Sequence, residues 1–232
     1  MTNRLAIIPA RSGSKRIPNK NIKLFFNKPI ISYVIKTLQK SKLFNEIHIS
    51  TNSKKIKNIV ESNSIKIPFL RPKYLSKDNT PLIDVLNFVL KKFATIDKNF
   101  DEVWLIYSTA VLLDDYDLKK ASRIIKNKKI KNILSVSKFP APIEWALNIK
   151  NNKLIPLNNK KISRDSKLFS TKYYENASFI IYKLKKNKYS ISKTNEFFPY
   201  ILSPLSSIDI DDKDDWELAK KIYKTNEKKN LL

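Results

Sequence analysis

Arg11, Lys15 and Lys20 punctuate the stretch Ala10-Arg-Ser-Gly-Ser-Lys-Arg-Ile-Pro-Asn-Lys-Asn21, a loop suited to gripping a polyphosphate. Arginine offers phosphate a planar bidentate fork, and lysine offers a mobile point charge. Ser12, Gly13 and Ser14 make the backbone pliable, so N–H groups near Gly13 can form an anion-binding nest. Neither of the usual phosphate motifs is present, because each needs at least two glycines and Gly13 is the only one in the chain. A second group lies near the other end, in Ser207-Ile-Asp-Ile-Asp-Asp212. Strand alternation puts Asp209 and Asp211 on one side and buries Ile208 and Ile210 opposite. Two carboxylates facing a triphosphate suit Mg²⁺, which favours oxygen ligands and phosphate partners. The other reading is a strand end that leads into a helix, with Asp211 or Asp212 as its N-cap.

These groups need elements to position them. Leu5–Pro9 is a continuous apolar run ending at a turn residue, which predicts a buried strand. Apolar residues at 30, 31, 34, 35 and 38 predict a helix over Ile30–Lys40, opened by Pro29. Glu46–Thr51 reads as a strand, Ser53 as the cap of a helix carrying Ile56, Ile59 and Val60, and Lys66–Leu70 as a short strand. A helix then opens at Thr80-Pro81, followed by a strand at Glu102–Tyr107, a helix at Asp115–Asn127 and a strand at Ile133–Ser137. This alternation means βαβ units and a mostly parallel, Rossmann-like sheet flanked by helices. Ligands of such sheets sit outside the carboxyl ends of the strands. The loop after the first strand, the Tyr107–Leu113 loop and the Ile208–Asp212 segment should therefore share one crevice. Between about 139 and 175 the pattern weakens into a small insertion, read as a dimerisation arm. Ala177–Tyr182 resumes as a strand, Trp216–Tyr223 is a last amphipathic helix, and the tail beyond it is expected to fray.

The remaining aromatic and titratable residues carry less. His48, the only histidine, points opposite Ile47 and Ile49, which predicts a half-exposed strand residue and argues against a His-dependent triad. Trp104 reads as core, whereas Trp145 fits a dimer contact or a sugar pocket equally well.

Composition excludes several classes. The chain of 232 residues has no Cys, so disulfides, thiolate zinc sites and cysteine nucleophiles are ruled out. It has no apolar run long enough for a membrane span and no recognisable signal peptide at its start, so a cytoplasmic location is expected. The net charge of +25 comes from lysine, since Arg4, Arg11, Arg16, Arg71, Arg123 and Arg164 are the only arginines among 46 basic residues. Nucleic-acid interfaces favour arginine and stacking aromatics, and neither is interleaved here. The excess lysine fits a coding bias, and a basic nucleic-acid binder on an inactive α/β domain is the competing reading.

The two groups together resemble the cytidylyltransferases that activate sialic acids and their relatives as CMP-sugars. The family motif A-R-x-x-S-K-x-x-P-x-K-N is met by Ala10, Arg11, Ser14, Lys15, Pro18, Lys20 and Asn21. Its D-I-D segment is met by Asp209-Ile-Asp211, and L-R-P-x-x-L-x-x-D-x-T by Leu70-Arg-Pro72, Leu75, Asp78 and Thr80. The likeness runs from about residue 4 to about residue 223. Ile106-Tyr-Ser-Thr-Ala-Val-Leu112 has Tyr107 where N-acetylneuraminate enzymes carry Gln. Together with Ser135–Leu147, it is similar to the pseudaminic acid cytidylyltransferases. Val111 stands in place of a usual Pro, and Ala177 stands where Gly is common.

The resemblance implies a single nucleotidyltransferase domain over 1–232, of the nucleotide-diphospho-sugar transferase type, working as a homodimer with Mg²⁺. Its substrates would be CTP and a nine-carbon 2-keto-3-deoxy sugar acid, with no nucleic-acid or membrane partner. Pseudaminic acid is favoured, with N-acetylneuraminate, legionaminate and Kdo as alternatives. Arg11, Ser12, Gly13, Lys15, Lys20, Asn21, Arg71 and Thr80 would hold the nucleotide, and Asp209 and Asp211 the metal. Lys20, Arg11 and Asp211 would carry the catalytic charge, and Tyr107, Thr109, Arg164 and Asn176 would meet the sugar. Arg164 could equally form a surface salt bridge.

Overall fold

The computed structural model describes residues 2–62, 64–158, 165–185 and 189–229. The first strand, β1 (Arg4–Pro9), buries Leu5, Ala6, Ile7 and Ile8 completely. An unbroken apolar run suits a central strand covered on both faces. Strands β2 (Leu24–Phe25) and β3 (Lys28–Pro29) form a small hairpin before α1 (Ile30–Ser41), which buries the apolar stripe read from its sequence. Next come β4 (Glu46–Ser50) and α2 (Lys54–Glu61), where the Ser53 side chain accepts a hydrogen bond from the Ile56 N–H at 3.3 Å. The helix α3 (Leu82–Ala94) precedes β5 (Glu102–Ile106), and α4 (Asp115–Ile125), capped by Asp114, precedes β6 (Asn132–Lys138). The chain continues through β7 (Leu147–Lys150), β8 (Lys153–Pro156), β9 (Tyr173–Lys183) and β10 (Phe198–Ile201) to α5 (Lys213–Lys229).

Six strands form the main sheet in the order β10-β6-β9-β5-β1-β4. All pairings are parallel except those of β9, which runs antiparallel to both β5 and β6. Alternation along β1 sends Ala6 and Ile8 into one core with α1, α4 and α5, and Leu5 and Ile7 into a second core with α3. Helices therefore cover both faces, and the carboxyl ends of β1, β4 and β5 open to one side.

Four sequence expectations need correction. Lys66–Leu70 is not a strand: Pro68 removes a ladder donor, and the segment instead drapes over β4 with Ile67 buried. The strand β10 was not foreseen, because Phe198-Pro-Tyr-Ile carries a proline, which only an edge position tolerates. The final helix is longer than Trp216–Tyr223. It starts at Lys213 and continues through the expected frayed tail to Lys229, with Tyr223 fastened against Phe25, Phe26 and Tyr33. His48 is not half-exposed. It is 1% exposed and lies between the rings of Phe69, 4.5 Å away, and Phe93, 5.4 Å away. The draped segment and α3 supply that cover. Trp104 is core, as expected, and its indole N–H donates to Glu102.

The insertion contains the two-stranded β7–β8 hairpin, whose apolar side chains face outward: Ile149 is 77% exposed and Leu154 66%, with Leu157 just after β8 at 64%. Within β9, Ala177 has φ +49°, and the β6–β9 register shifts beside it, between Leu134 and Val136. A left-handed alanine at a bulge is where a Cβ costs energy and glycine does not. This geometry accounts for the glycine that the resemblance leads one to expect.

His48 and Ala177 can both be tested by unfolding. Burial, helped by the charge of Arg71, lowers the His48 pKa to about 3, so the neutral ring is the folded form. Its stabilising contribution is complete above pH ~6.5 and is lost as pH falls toward 3. Between pH 7 and 4.5, urea unfolding should show wild type losing about 2 kcal/mol more than His48→Leu; parallel losses would refute this. Ala177→Gly should leave stability unchanged or raise it by up to about 1 kcal/mol, although glycine normally weakens a strand interior. A lowered urea midpoint would contradict it.

Candidate active site

The cleft lies where the parallel topology puts it, outside the carboxyl ends of β1 and β5. It has a volume of about 550 Å³, and its lining includes Arg11, Lys15, Arg16, Lys20, Arg71, Asp78, Thr80, Tyr107, Thr109, Asp209 and Asp211. Residues 11–19 form an irregular loop that ends in a single helical turn, Lys20–Ile22. Gly13 takes φ +87° and Asn19 takes φ +54°, so an asparagine fills the role of a second glycine. Asn21 is buried and ties the loop together. Its amide donates to the Arg11 carbonyl at 2.8 Å, and its Oδ1 accepts from Ser108 at 2.6 Å. Ser12 and Gly13 are exposed and do not line the cleft; the Ser12 N–H donates to Asn52 at 2.9 Å.

Four loop cations are held by two carboxylates. Arg11 and Lys15 each reach Asp78 at 2.6 Å. Arg16 meets Asp211 at 2.9 Å, and Lys20 lies 3.4 Å from the same carboxylate while donating to the Ile210 carbonyl at 2.6 Å. Hydrogen bonds from Lys15 and Arg11 hold the Asp78 carboxyl below its ordinary pKa.

Arg71 is a different kind of cation. It is 6% exposed and donates to the Ser50 hydroxyl at 3.1 Å and to the Ser50 carbonyl. Burial first, then the neighbouring Arg11 charge, lower its pKa to about 10, which leaves it charged at neutral pH. Among the described residues it has no carboxylate partner. A buried, unneutralised guanidinium at the rim of a cleft favours an anionic or acceptor-rich ligand.

Asp209 and Asp211 lie on an extended segment rather than in a strand, with Ile210 fully buried between them. Asp212 caps α5, accepting from the Asp214 and Asp215 N–H groups at 2.9 and 3.0 Å. Asp215 accepts in turn from the N–H groups of Asp211 and Asp212. This reciprocal cap fixes where the two preceding carboxylates point. Asp209 is open to the cleft and forms no ion pair among the described residues. Crowding by surrounding protein, then the charge of Asp211, raise its pKa. Asp209, which no cation meets among the described residues, and Asp211, shared by Arg16 and Lys20, offer the cleft two carboxylates, the kind of oxygen donor that Mg²⁺ takes. Among the described residues no group of three or more acidic or histidine side chains could hold a metal unaided.

Tyr107 and Thr109 line the cleft, and the Tyr107 hydroxyl donates to Glu175 at 2.6 Å. Asn176 does not line it. Asn176 is buried, donating to Ser137 at 3.0 Å, and Ser137 lies 2.8 Å from Ser207, so this chain braces the segment that leads to Asp209. Arg164 lies outside the described residues. Sequence reasoning named Asp78 only as a motif residue and missed Arg16, and both line the cleft. Arg16 could have been found from its place beside Lys15. The pairing of Asp78 with Arg11 and Lys15 becomes visible only through contacts across the fold.

Comparison with known proteins agrees with this arrangement. A family model described as cytidylyltransferase matches residues 5–232. The pseudaminic acid cytidylyltransferase of Campylobacter jejuni is 32% identical over 231 residues, covering 96% of this chain and 97% of its own. The CMP-N,N'-diacetyllegionaminic acid synthase of Legionella pneumophila is also 32% identical, with the same coverage. The fold is shared with a CMP:2-keto-3-deoxy-manno-octonic acid synthetase solved with CTP, at TM-score 0.69 and 12% identity, covering 97% and 100% of the two chains.

The raised pKa of Asp209 has a measurable consequence. Its protonated form is favoured by folding, so its contribution is greatest below pH ~4 and turns unfavourable as pH rises through the folded pKa. Asp209→Asn should therefore raise the thermal midpoint of the ligand-free protein at pH 7, and the gain should shrink as pH falls toward 4. A lower midpoint at pH 7 would show that the carboxylate is stabilising instead.

Proposed function

We propose that this chain, which belongs to the cytidylyltransferase family, joins CTP to a nine-carbon, sialic-acid-like sugar acid, giving the CMP-sugar and pyrophosphate. The observation that carries the reading is the meeting of Arg11, Lys15, Arg16 and Lys20 with Asp209 and Asp211 in one cleft. In the reaction the anomeric hydroxyl of the sugar attacks the α-phosphorus in line. The bond to the bridging oxygen breaks, pyrophosphate leaves, and the hydroxyl proton passes to solvent.

Catalysis of this kind is mostly positioning and charge neutralisation. Arg11, Lys15 and Arg16 grip the triphosphate, and Lys20 stabilises charge on the departing pyrophosphate. Arg71 and Thr80 hold the nucleoside side, and Asn21 keeps the loop in shape. Asp209 and Asp211 are the residues that would hold Mg²⁺, which when bound neutralises phosphate charge and acidifies the attacking hydroxyl. We place the reaction in the cytoplasm, where CTP is available. A homodimer that uses the outward-facing apolar residues of the β7–β8 hairpin completes the proposal.

Pseudaminic acid is the favoured acid, on Tyr107 and the Ser135–Leu147 stretch. The equal identity to the Legionella protein keeps a legionaminic acid as the second reading. The test is pyrophosphate release with CTP, Mg²⁺ and a panel of pseudaminic, legionaminic and N-acetylneuraminic acids and Kdo. Pseudaminate should give the highest kcat/KM. Asp211→Ala should lower kcat at least ~100-fold, and Lys20→Ala by about 10²–10³. Better turnover of N-acetylneuraminate than of pseudaminate would sink the choice of sugar. Full activity in Asp211→Ala would sink the mechanism.

A further inference from the structure

The phosphate grip carries an anion of its own. Asp78 stands between Arg11 and Lys15, with Oδ1 accepting from Arg11 at 2.6 Å and Oδ2 meeting Lys15 at 2.6 Å. Both carboxylate oxygens are engaged, as two oxygens of a phosphate would engage the same donors. All three side chains line the cleft. Asp78 itself sits in a surface turn, Lys77–Thr80, closed by the Thr80 N–H donating to the Lys77 carbonyl at 3.3 Å.

A carboxylate in this place either shapes the loop or competes for its cations, and the contacts decide between the two. The path of the loop is set by neutral side chains bonded to its main chain. Asn52 accepts from the Ser12 N–H at 2.9 Å, and Asn21 donates to the Arg11 carbonyl at 2.8 Å. Among the described residues Asp78 touches the loop only at the tips of two charged side chains. The Lys15 and Asp78 side chains are 80% and 50% exposed, so their pairing adds little to the hold on the loop. Removing the Asp78 charge would therefore free two donors and leave the loop where it is.

We propose that Asp78 is an internal competitor of the triphosphate: it occupies Arg11 and Lys15 until a polyphosphate displaces it, and it returns to them as pyrophosphate leaves. A ligand that needs these donors binds with an apparent affinity lowered by the fraction of time they are otherwise engaged. One carboxylate charge sets a threshold that a triphosphate, with several charges, exceeds. In a chain of net charge +25, the same threshold limits occupation of the grip by simple anions. The assignment rests on the nucleotide-binding reading of the cleft and deepens it by adding a residue that lowers affinity.

The test is calorimetric binding of CTP with Mg²⁺, and of inorganic pyrophosphate, to wild type and two variants. Asp78→Asn keeps the size and one oxygen acceptor but removes the charge. At low salt it should bind CTP about 3- to 10-fold tighter than wild type, the factor expected when two partly exposed ion pairs no longer have to break. Pyrophosphate should gain by a similar factor, and the thermal midpoint should stay close to that of wild type. The gain should shrink as salt is added, because the competing charge is screened. Asp97→Asn makes the same charge change at the exposed far end of α3, about 20 Å along the helix, and should bind as wild type does. Unchanged CTP affinity in Asp78→Asn overturns the assignment, and weaker binding does so by showing that Asp78 positions the donors. Equal tightening in Asp97→Asn also overturns it, since the effect would then belong to the overall charge. A wild-type protein that binds neither CTP nor pyrophosphate overturns the reading of the cleft, and this assignment with it.

Discussion

Asp211 holds two cations at once, Arg16 at 2.9 Å and Lys20 at 3.4 Å, and the shape of the cleft depends on that sharing. Four positive side chains crowd a loop of about ten residues, and without countercharge they would repel one another outward. Asp211 and Asp78 gather them into two pairs and bring the loop after β1 into contact with the segments before α5 and α3. Both carboxylates are partly exposed, so these pairs add little to stability. Their effect is geometric. They gather the four donors at two points of the cleft, and weak, partly exposed pairs of this kind are readily exchanged for another anion.

The rest of the structure serves that arrangement at different depths. The reciprocal cap of Asp212 and Asp215 sets the start of α5 and with it the direction of Asp209 and Asp211. The Asn176–Ser137–Ser207 chain braces the same segment from the sheet side. Asn21 ties the phosphate loop to the loop after β5. Each of these last two braces is a pair of hydrogen bonds between neutral groups, buried or nearly so, whereas the loop cations and their carboxylate partners are charged and more exposed.

What could be read from the sequence followed from local physics. The loop Ala10–Asn21 and the pair Asp209/Asp211 stood out by residue type and spacing, although the carboxylates read equally well as a helix cap. The βαβ alternation then put both at one end of a sheet. Where tertiary packing decides, the reading failed. His48 is buried by Phe69 and Phe93, which arrive from distant segments, and no local pattern shows it. Pro68 stopped a strand that apolar composition suggested, while Pro199 sat in a strand that propensity argued against. Asp78 matters through partners more than 60 residues away. Glu175 meets Tyr107 from the bulged part of β9, and Ala177 gave the one local hint of that bulge.

Ala177 also belongs to a wider set. Eight non-glycine residues among those described adopt positive φ, including Asn19, Phe26, Lys42, Ser64 and Asp97. In a chain with one glycine, the turns of the fold are met by residues poorly suited to them, at a cost of roughly 1–2 kcal/mol each where no short polar side chain eases it. Most of these positions are separated along the chain and lie away from the catalytic cleft. The protein therefore holds a dispersed reserve of stability: local, largely independent sites where restoring glycine would harden the fold while the chemistry stays as it is.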